Sequence, residues 1–293
     1  MGQSIMDSYE RKIVRKIDEG IDPKEIYCTT YQMRNFFKQL SDGFFSSLDI
    51  MNYIQHHKAV TLMKKGYRVL DVCCGRGLLL PLIRWYKKDI SEYVGIDISE
   101  QNIGEQKRWS GAKKLEISLE EYYPFKITHI LGSVEDMGDF FDPNSFDMIV
   151  YTSAIEHMQK DVGRRSLEHC FNIIKPDSIF FLSCPNTMNK KNPYDTQYAA
   201  HLYEWDLQEL SEVINEIGFS INDVFGLVAK VREFEAFIDL RPQEEKDLYT
   251  RFKNYFPTQW LMAIIPILYP EVASEVLILA TKKNVLRRRG FFQ

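Results

Sequence analysis

The stretch Val69-Leu70-Asp71-Val72-Cys73-Cys74-Gly75-Arg76-Gly77 constrains this chain more than any other. An apolar run ends in an acidic residue, bends through a small-residue turn with two glycines, and passes at once into the amphipathic segment from Leu78 to Trp85. That order reads as strand, tight turn, helix. Glycine lets a backbone come close to a ligand, and the first turn of a helix offers N–H groups with no partner inside the helix. A second apolar run, Tyr93-Val94-Gly95-Ile96, then ends in Asp97. Two neighbouring strand ends of this kind suit a nucleotide-like ligand lying across both.

From Gly66 onward, strand and helix patterns alternate. The spacing predicts strands at 68–72, 93–96, 127–131, 148–151, 179–184, 222–227 and 275–280, with helices at 78–88, 100–109, 164–174 and 206–217. Alternation of this sort gives an α/β fold: a mostly parallel, Rossmann-like sheet of seven strands with helices on both faces. Residues 1–66 read as a helical N-terminal extension, with helices over 7–19, from Asp22-Pro23, over 27–40 and over 48–63. Asp as N-cap followed by Pro at the first helical position supports the second of these. Two stretches break the rhythm: the polar segment 186–203, and the aromatic-rich segment 229–270. Long insertions at strand ends are where α/β enzymes place substrate contacts. The chain therefore divides into an extension (1–66), a core (67–228 and 271–283) and a lid or substrate insertion (229–270).

Bulk properties exclude several classes. With 45% hydrophobic and 27% charged residues, the chain has an ordinary globular composition. Its net charge of -4 gives no support for a nucleic-acid partner. Arg287-Arg288-Arg289 reads as a solvated tail. The five cysteines (Cys28, Cys73, Cys74, Cys170 and Cys184) are odd in number and lack CxxC spacing, which predicts a reducing, cytoplasmic setting. The first ten residues are polar, so no secretory leader is expected, and the apolar run 261–269 is far shorter than the roughly 20 residues of a membrane span. A small-molecule substrate fits these features, and a homodimer is compatible with them.

A glycine-rich turn by itself also opens dinucleotide-binding folds, but the third glycine expected there is replaced by Leu80. Taken together, the motifs resemble class I S-adenosylmethionine-dependent methyltransferases over about 67–219, with a last strand near 275–281. Residues 69–77 are similar to that family's first motif, with Cys73 in the first glycine position, followed by Gly75 and Gly77. A thiol fits there if the backbone dihedral is ordinary. The resemblance implies S-adenosyl-L-methionine as cofactor. It places Asp71, Cys73, Gly75 and Gly77 around it, with Asp97 on the ribose hydroxyls and Ile98 against one adenine face. A carboxylate has two oxygens to accept from two neighbouring O–H groups. Residues 129–137, His-Ile-Leu-Gly-Ser-Val-Glu-Asp-Met, resemble the third-strand motif. Ser133 stands there where many members have Asp, and Val134 and Glu135 follow. Thr152 lies where the fourth strand meets the cofactor.

Methyl transfer from a sulfonium is an in-line displacement, so the protein chiefly positions a nucleophile. A hydroxyl acceptor gains from a base near neutrality, a role suited to His. His157, just after the fourth strand, and His201, ahead of the helix at 206, are the candidates, each against a structural role. Asn186 reads as a substrate contact or a turn residue. His56-His57 lie on one helix and point apart, with no metal spacing. Tyr27, Tyr31 and Arg34 share a helix face that covers the cofactor or simply packs. The aromatics Phe234, Phe237, Tyr249, Phe252, Tyr255, Phe256 and Trp260 either pack a lid or line a substrate pocket. Three readings stay open: a small-molecule O- or N-methyltransferase, an RNA cap-type methyltransferase, and a non-catalytic partner protein with this fold.

Overall fold

The computed structural model describes residues 47–86, 88–109, 122–187 and 200–282. The expectations for helices before residue 47, for Tyr27, Tyr31 and Arg34, for Cys28, for the middle of the 186–203 segment and for the arginine tail lie outside the described residues. In chain order the elements are α1 (Ser47–Leu62), β1 (Arg68–Val72), α2 (Leu79–Trp85), β2 (Glu92–Asp97), α3 (Glu100–Trp109), β3 (Lys126–Leu131), the short α4 (Met137–Phe140) and β4 (Phe146–Thr152). They continue with α5 (Lys160–Ile173), β5 (Ile174–Pro185), α6 (Leu207–Ile217), β6 (Phe219–Leu227), α7 (Val231–Ile238), α8 (Gln243–Tyr255), α9 (Thr258–Ile264) and β7 (Glu275–Lys282).

The seven strands form one sheet in the order β3-β2-β1-β4-β5-β7-β6. β1 to β5 pair in parallel, whereas β7 runs antiparallel between β5 and β6. The order reverses between β1 and β4, and ligands bind at such a switch point, outside the carboxyl ends of the strands. Alternation along each strand sorts its side chains into two cores. Leu70 and Val72 of β1 join α5 and α6 in one, while Val69 joins α1 and α2 in the other.

Several boundaries differ from the periodicity. The helix after the glycine turn ends at Trp85 rather than at 88, with Tyr86 as its cap. β5 begins at Ile174 rather than at 179, because the Lys175-Pro176-Asp177 turn is absorbed into the strand as a kink, with Asp177 at φ +60° and a register shift against β4. α6 starts at Leu207 because Asp206 is its N-cap, accepting from the Glu209 N–H at 2.8 Å. Gly218, at φ +117°, closes that helix and releases β6 three residues earlier than the pattern suggested.

The segment between β6 and β7 is helical. α7, α8 and α9 gather a small core of their own from Phe234, Ile238, Tyr249, Leu261 and Met262. Phe252, Phe256 and Trp260 are exposed, and Tyr255 is 85% exposed. The aromatic set thus splits: Phe234 and Tyr249 pack, with ring centroids 5.5 Å apart, and the half-buried Phe237 packs against them, while Phe252, Tyr255, Phe256 and Trp260 face outward. Among the described residues, no helix is long and apolar enough to cross a membrane.

Candidate active site

The glycine loop leaves β1 with three residues in left-handed conformation: Cys73 at φ +55°, Gly75 at +52° and Gly77 at +72°. The condition of an ordinary dihedral at Cys73 is therefore not met. The turn demands a positive φ at the family's first glycine position, and the thiol adopts it under strain. Nothing lies within 4 Å of a Cβ built on Gly75, so the backbone borders open space, whereas one on Gly77 would meet Gln106 at 2.7 Å.

α3 clamps this loop. Gln106 Nε2 donates to the Gly75 carbonyl at 2.9 Å, and its contact with Cys74 Sγ is 3.1 Å. Arg76 and Glu105, both buried, pair at 3.0 Å. On the sheet side, Gly95 sits in register with Asp71. A Cβ there would lie 2.8 Å from Cys74 Sγ and 3.1 Å from the Tyr93 hydroxyl, so glycine is what lets Cys74 and Tyr93 close over the turn.

Asp71 and Asp97 end the first two strands. Tyr93 donates to Asp71 at 2.7 Å, yet burial pushes the Asp71 carboxyl up to about 7, and the nearby Asp97 adds to the rise. Asp97 Oδ2 accepts from the Gly75 N–H at 2.8 Å; Oδ1 accepts from the Ser99 N–H at 2.8 Å and from Asn102 Nδ2 at 3.2 Å. Burial raises its pKa, and these donors oppose the rise. Three donors leave a carboxylate with lone-pair capacity to spare. Ile98, directly after it, is 42% exposed.

The third-strand motif is built differently from its neighbours. Ser133 Oγ accepts from the Glu135 N–H at 3.2 Å and caps a turn of 3-10 helix; Val134 is buried, and the Glu135 carboxylate is held by Arg165 Nη2 of α5 at 2.5 Å.

Beyond β4 and β5 lies a buried polar cluster of which the sequence showed only the histidines. His157 Nδ1 donates to the Ala200 carbonyl at 3.0 Å, and its ring meets that of His201 edge-on with centroids 5.0 Å apart. Burial first, and His201 second, pull the His157 imidazole down to about 4, so it is neutral at pH 7. The same burial limits its strength as a base. His201 Nδ1 donates to Glu204 Oε1 at 2.5 Å, and Glu204, fully buried, also accepts from the Thr187 hydroxyl.

Thr152 ends β4 opposite Ser183 of β5. Ser153, at φ +45°, donates to Glu275 Oε1 at 3.0 Å, and Ser183 donates to Gln55 of α1 at 2.6 Å. Burial lifts Glu275 to about 8 and Glu156 well above its usual range. Asn186 has a structural role: its Oδ1 accepts from the Leu207 N–H at 3.0 Å and its Nδ2 donates to the Ala273 carbonyl at 3.1 Å. Gln55, Ser153, Ser183, Glu204 and Glu275 come from five separate parts of the chain, and no local pattern brings them together.

Comparison with known proteins agrees with this architecture. Residues 49–224 match the family model described as a methyltransferase domain. A ubiquinone biosynthesis O-methyltransferase of Neisseria meningitidis serogroup C is 26% identical over 62% of this chain and 74% of its own. A probable S-adenosylmethionine-dependent methyltransferase of Mycolicibacterium smegmatis is 24% identical over 55% of each chain. The mouse mitochondrial ubiquinone biosynthesis O-methyltransferase is 24% identical over 59% of this chain, which spans less than half (46%) of that relative. Among solved structures, a SAM-dependent methyltransferase from Archaeoglobus fulgidus superposes with a TM-score of 0.51 at 16% identity, covering 84% of this chain and 99% of that one. The [4+2]-cyclase SpnF superposes equally well, with a TM-score of 0.51 at 16% identity over 78% and 80% of the two chains. From its first motif to its sheet order, this chain belongs to the class I methyltransferase family and is an S-adenosylmethionine-dependent methyltransferase.

Proposed function

We propose that this enzyme methylates an oxygen or nitrogen of a small molecule, with the cofactor held by the glycine loop and the acceptor placed beside His157 and His201. The observation that carries the cofactor placement is the meeting of the open backbone at Gly75 with the Asp97 carboxylate. In this reading Asp71, Cys73, Gly75 and Gly77 border the methionine part, and Asp97 accepts from the ribose. Ile98, Ser133, Val134 and Glu135 lie around the adenine, and Thr152 faces the centre. When bound, the cofactor supplies an activated methyl group. The protein's own residues orient the acceptor and exclude water.

The relatives named for ubiquinone biosynthesis support an oxygen acceptor. The net charge of -4 weighs against RNA. The insertion 229–270 leaves the sheet after Leu227 and returns at Glu275, which pair with each other at the edge where the parallel strands end. Its helices therefore stand beside the acceptor side, and we assign them as its cover.

Calorimetry tests the cofactor placement. Wild-type protein should bind S-adenosylhomocysteine, and Asp97→Ala should weaken that binding at least a hundredfold while the fold is kept. Unchanged affinity in the variant would mean that the ribose lies elsewhere. The acceptor class is read from transfer of labelled methyl to parallel panels of phenols, alcohols, amines and RNA. Labelling confined to RNA would overturn the small-molecule reading.

A further inference from the structure

The turns after β4 and before α6 bring Glu156, His157 and His201 together, with one donor atom from each within 4.8 Å of the others. Glu156 Oε1 lies 4.0 Å from His157 Nε2, and Glu156 Oε2, buried, meets no hydrogen-bond donor. A buried carboxylate oxygen without a donor is costly, and a bound cation relieves that cost. Both imidazoles are oriented through Nδ1, His157 on the Ala200 carbonyl and His201 on the Glu204 carboxylate. Such bonds fix the tautomer that presents the Nε2 lone pair, and metal-ligating histidines characteristically have them.

We propose that Glu156, His157 and His201 form a binding site for a divalent transition-metal ion. The set of two imidazoles and one carboxylate suits Zn²⁺, Mn²⁺, Fe²⁺ or Co²⁺ better than Ca²⁺ or Mg²⁺. Metal bonds of about 2.1 Å put ligand atoms roughly 3 to 3.5 Å apart, so small side-chain rotations close the observed gaps. Glu204 and Glu275 add buried carboxyl groups close by, and their charge is better tolerated beside a dication. The ion would stand at the acceptor end of the proposed site. There the histidines act as ligands rather than free bases, and an acceptor hydroxyl bound to the ion loses its proton more readily.

The test is calorimetric titration of the metal-stripped full chain with Zn²⁺ and with Mn²⁺, and visible spectroscopy of the Co²⁺-loaded protein. One equivalent should bind. His157→Asn, His201→Asn and Glu156→Gln should each weaken binding at least tenfold and alter the Co²⁺ spectrum, while Glu204→Gln should weaken it less. Absence of saturable binding in protein that still takes up S-adenosylhomocysteine would overturn the metal site and leave the cofactor assignment standing. Metal affinity unchanged by His201→Asn would also overturn it. Metal binding retained where S-adenosylhomocysteine fails to bind would support the metal site and count against the cofactor assignment alone.

Discussion

Cys73 holds a left-handed turn that its neighbours Gly75 and Gly77 adopt without strain. For a residue with a Cβ that conformation costs about 1–2 kcal/mol. Cys73→Gly should therefore be more stable than Cys73→Ala by about 0.5–1 kcal/mol in urea unfolding, the reverse of the usual order in a helix or strand. Asp71 gives a pH signature. Its folded pKa of about 7 lies above the ordinary carboxylate value of 3.8, so the folded state binds the extra proton, and stability falls as pH rises between those values. Asp71→Asn removes that slope. Urea midpoints at pH 5 and pH 8 should differ less in the variant than in the wild type, and an equal difference in both would mean that Asp71 is not the group responsible. His157 works in the opposite direction, its lowered pKa favouring the folded state as pH rises from about 4 toward 6.5, so only the comparison of variants isolates Asp71. At this scale the glycines and acids were legible because local backbone geometry and residue chemistry require them. The positive φ at Cys73 was not, because the residue standing there carries a side chain where the turn needs glycine, nor was the burial of His157, whose neighbours Ala200 and His201 are distant in sequence.

β6 and the insertion meet at Gly226, where a Cβ would lie 2.2 Å from the Pro266 carbonyl oxygen and 2.7 Å from Ala273 Cβ. Gly226→Ala must push the short helical turn at Ile265–Leu268 off the strand. The expected loss is about 1–3 kcal/mol, seen as a lower thermal midpoint. A neutral result would show that the turn yields freely. The core elements were readable from period and capping, as with Asp206 ahead of α6 and Gly218 after it. The start of β5 was not, because Pro176 and Asp177 carry a turn signal, while Ile174 ahead of them pairs with Phe146 of β4 across a register shift. Asn186 is the same lesson in a side chain: the sequence left it between a substrate contact and a turn residue, and its bonds join α6 to the β7 approach.

At the scale of the whole molecule, the described residues gather into two sheet-flanking cores and a third, smaller one inside the insertion. A small core with exposed aromatics opens more easily than a sheet buried on both faces. Amide exchange should therefore be faster across α7 and α8 than across β4 and β5, and uniform protection would show that the insertion unfolds only with the rest. S-adenosylhomocysteine should slow exchange at 73–77 and 97–99 if the loop holds the cofactor. By itself the sequence determined the alternating α/β architecture, the glycine loop and the acids at the ends of β1 and β2. Hydrophobic period, backbone-permissive residues and short-range spacing are local properties. Only the tertiary structure decided that Gln55, Ser153, Ser183 and Glu275 would join in one hydrogen-bonded chain, and that Glu204 would hold His201. Their meeting depends on the strand order and on the antiparallel β7, which long-range pairing sets and no local pattern records.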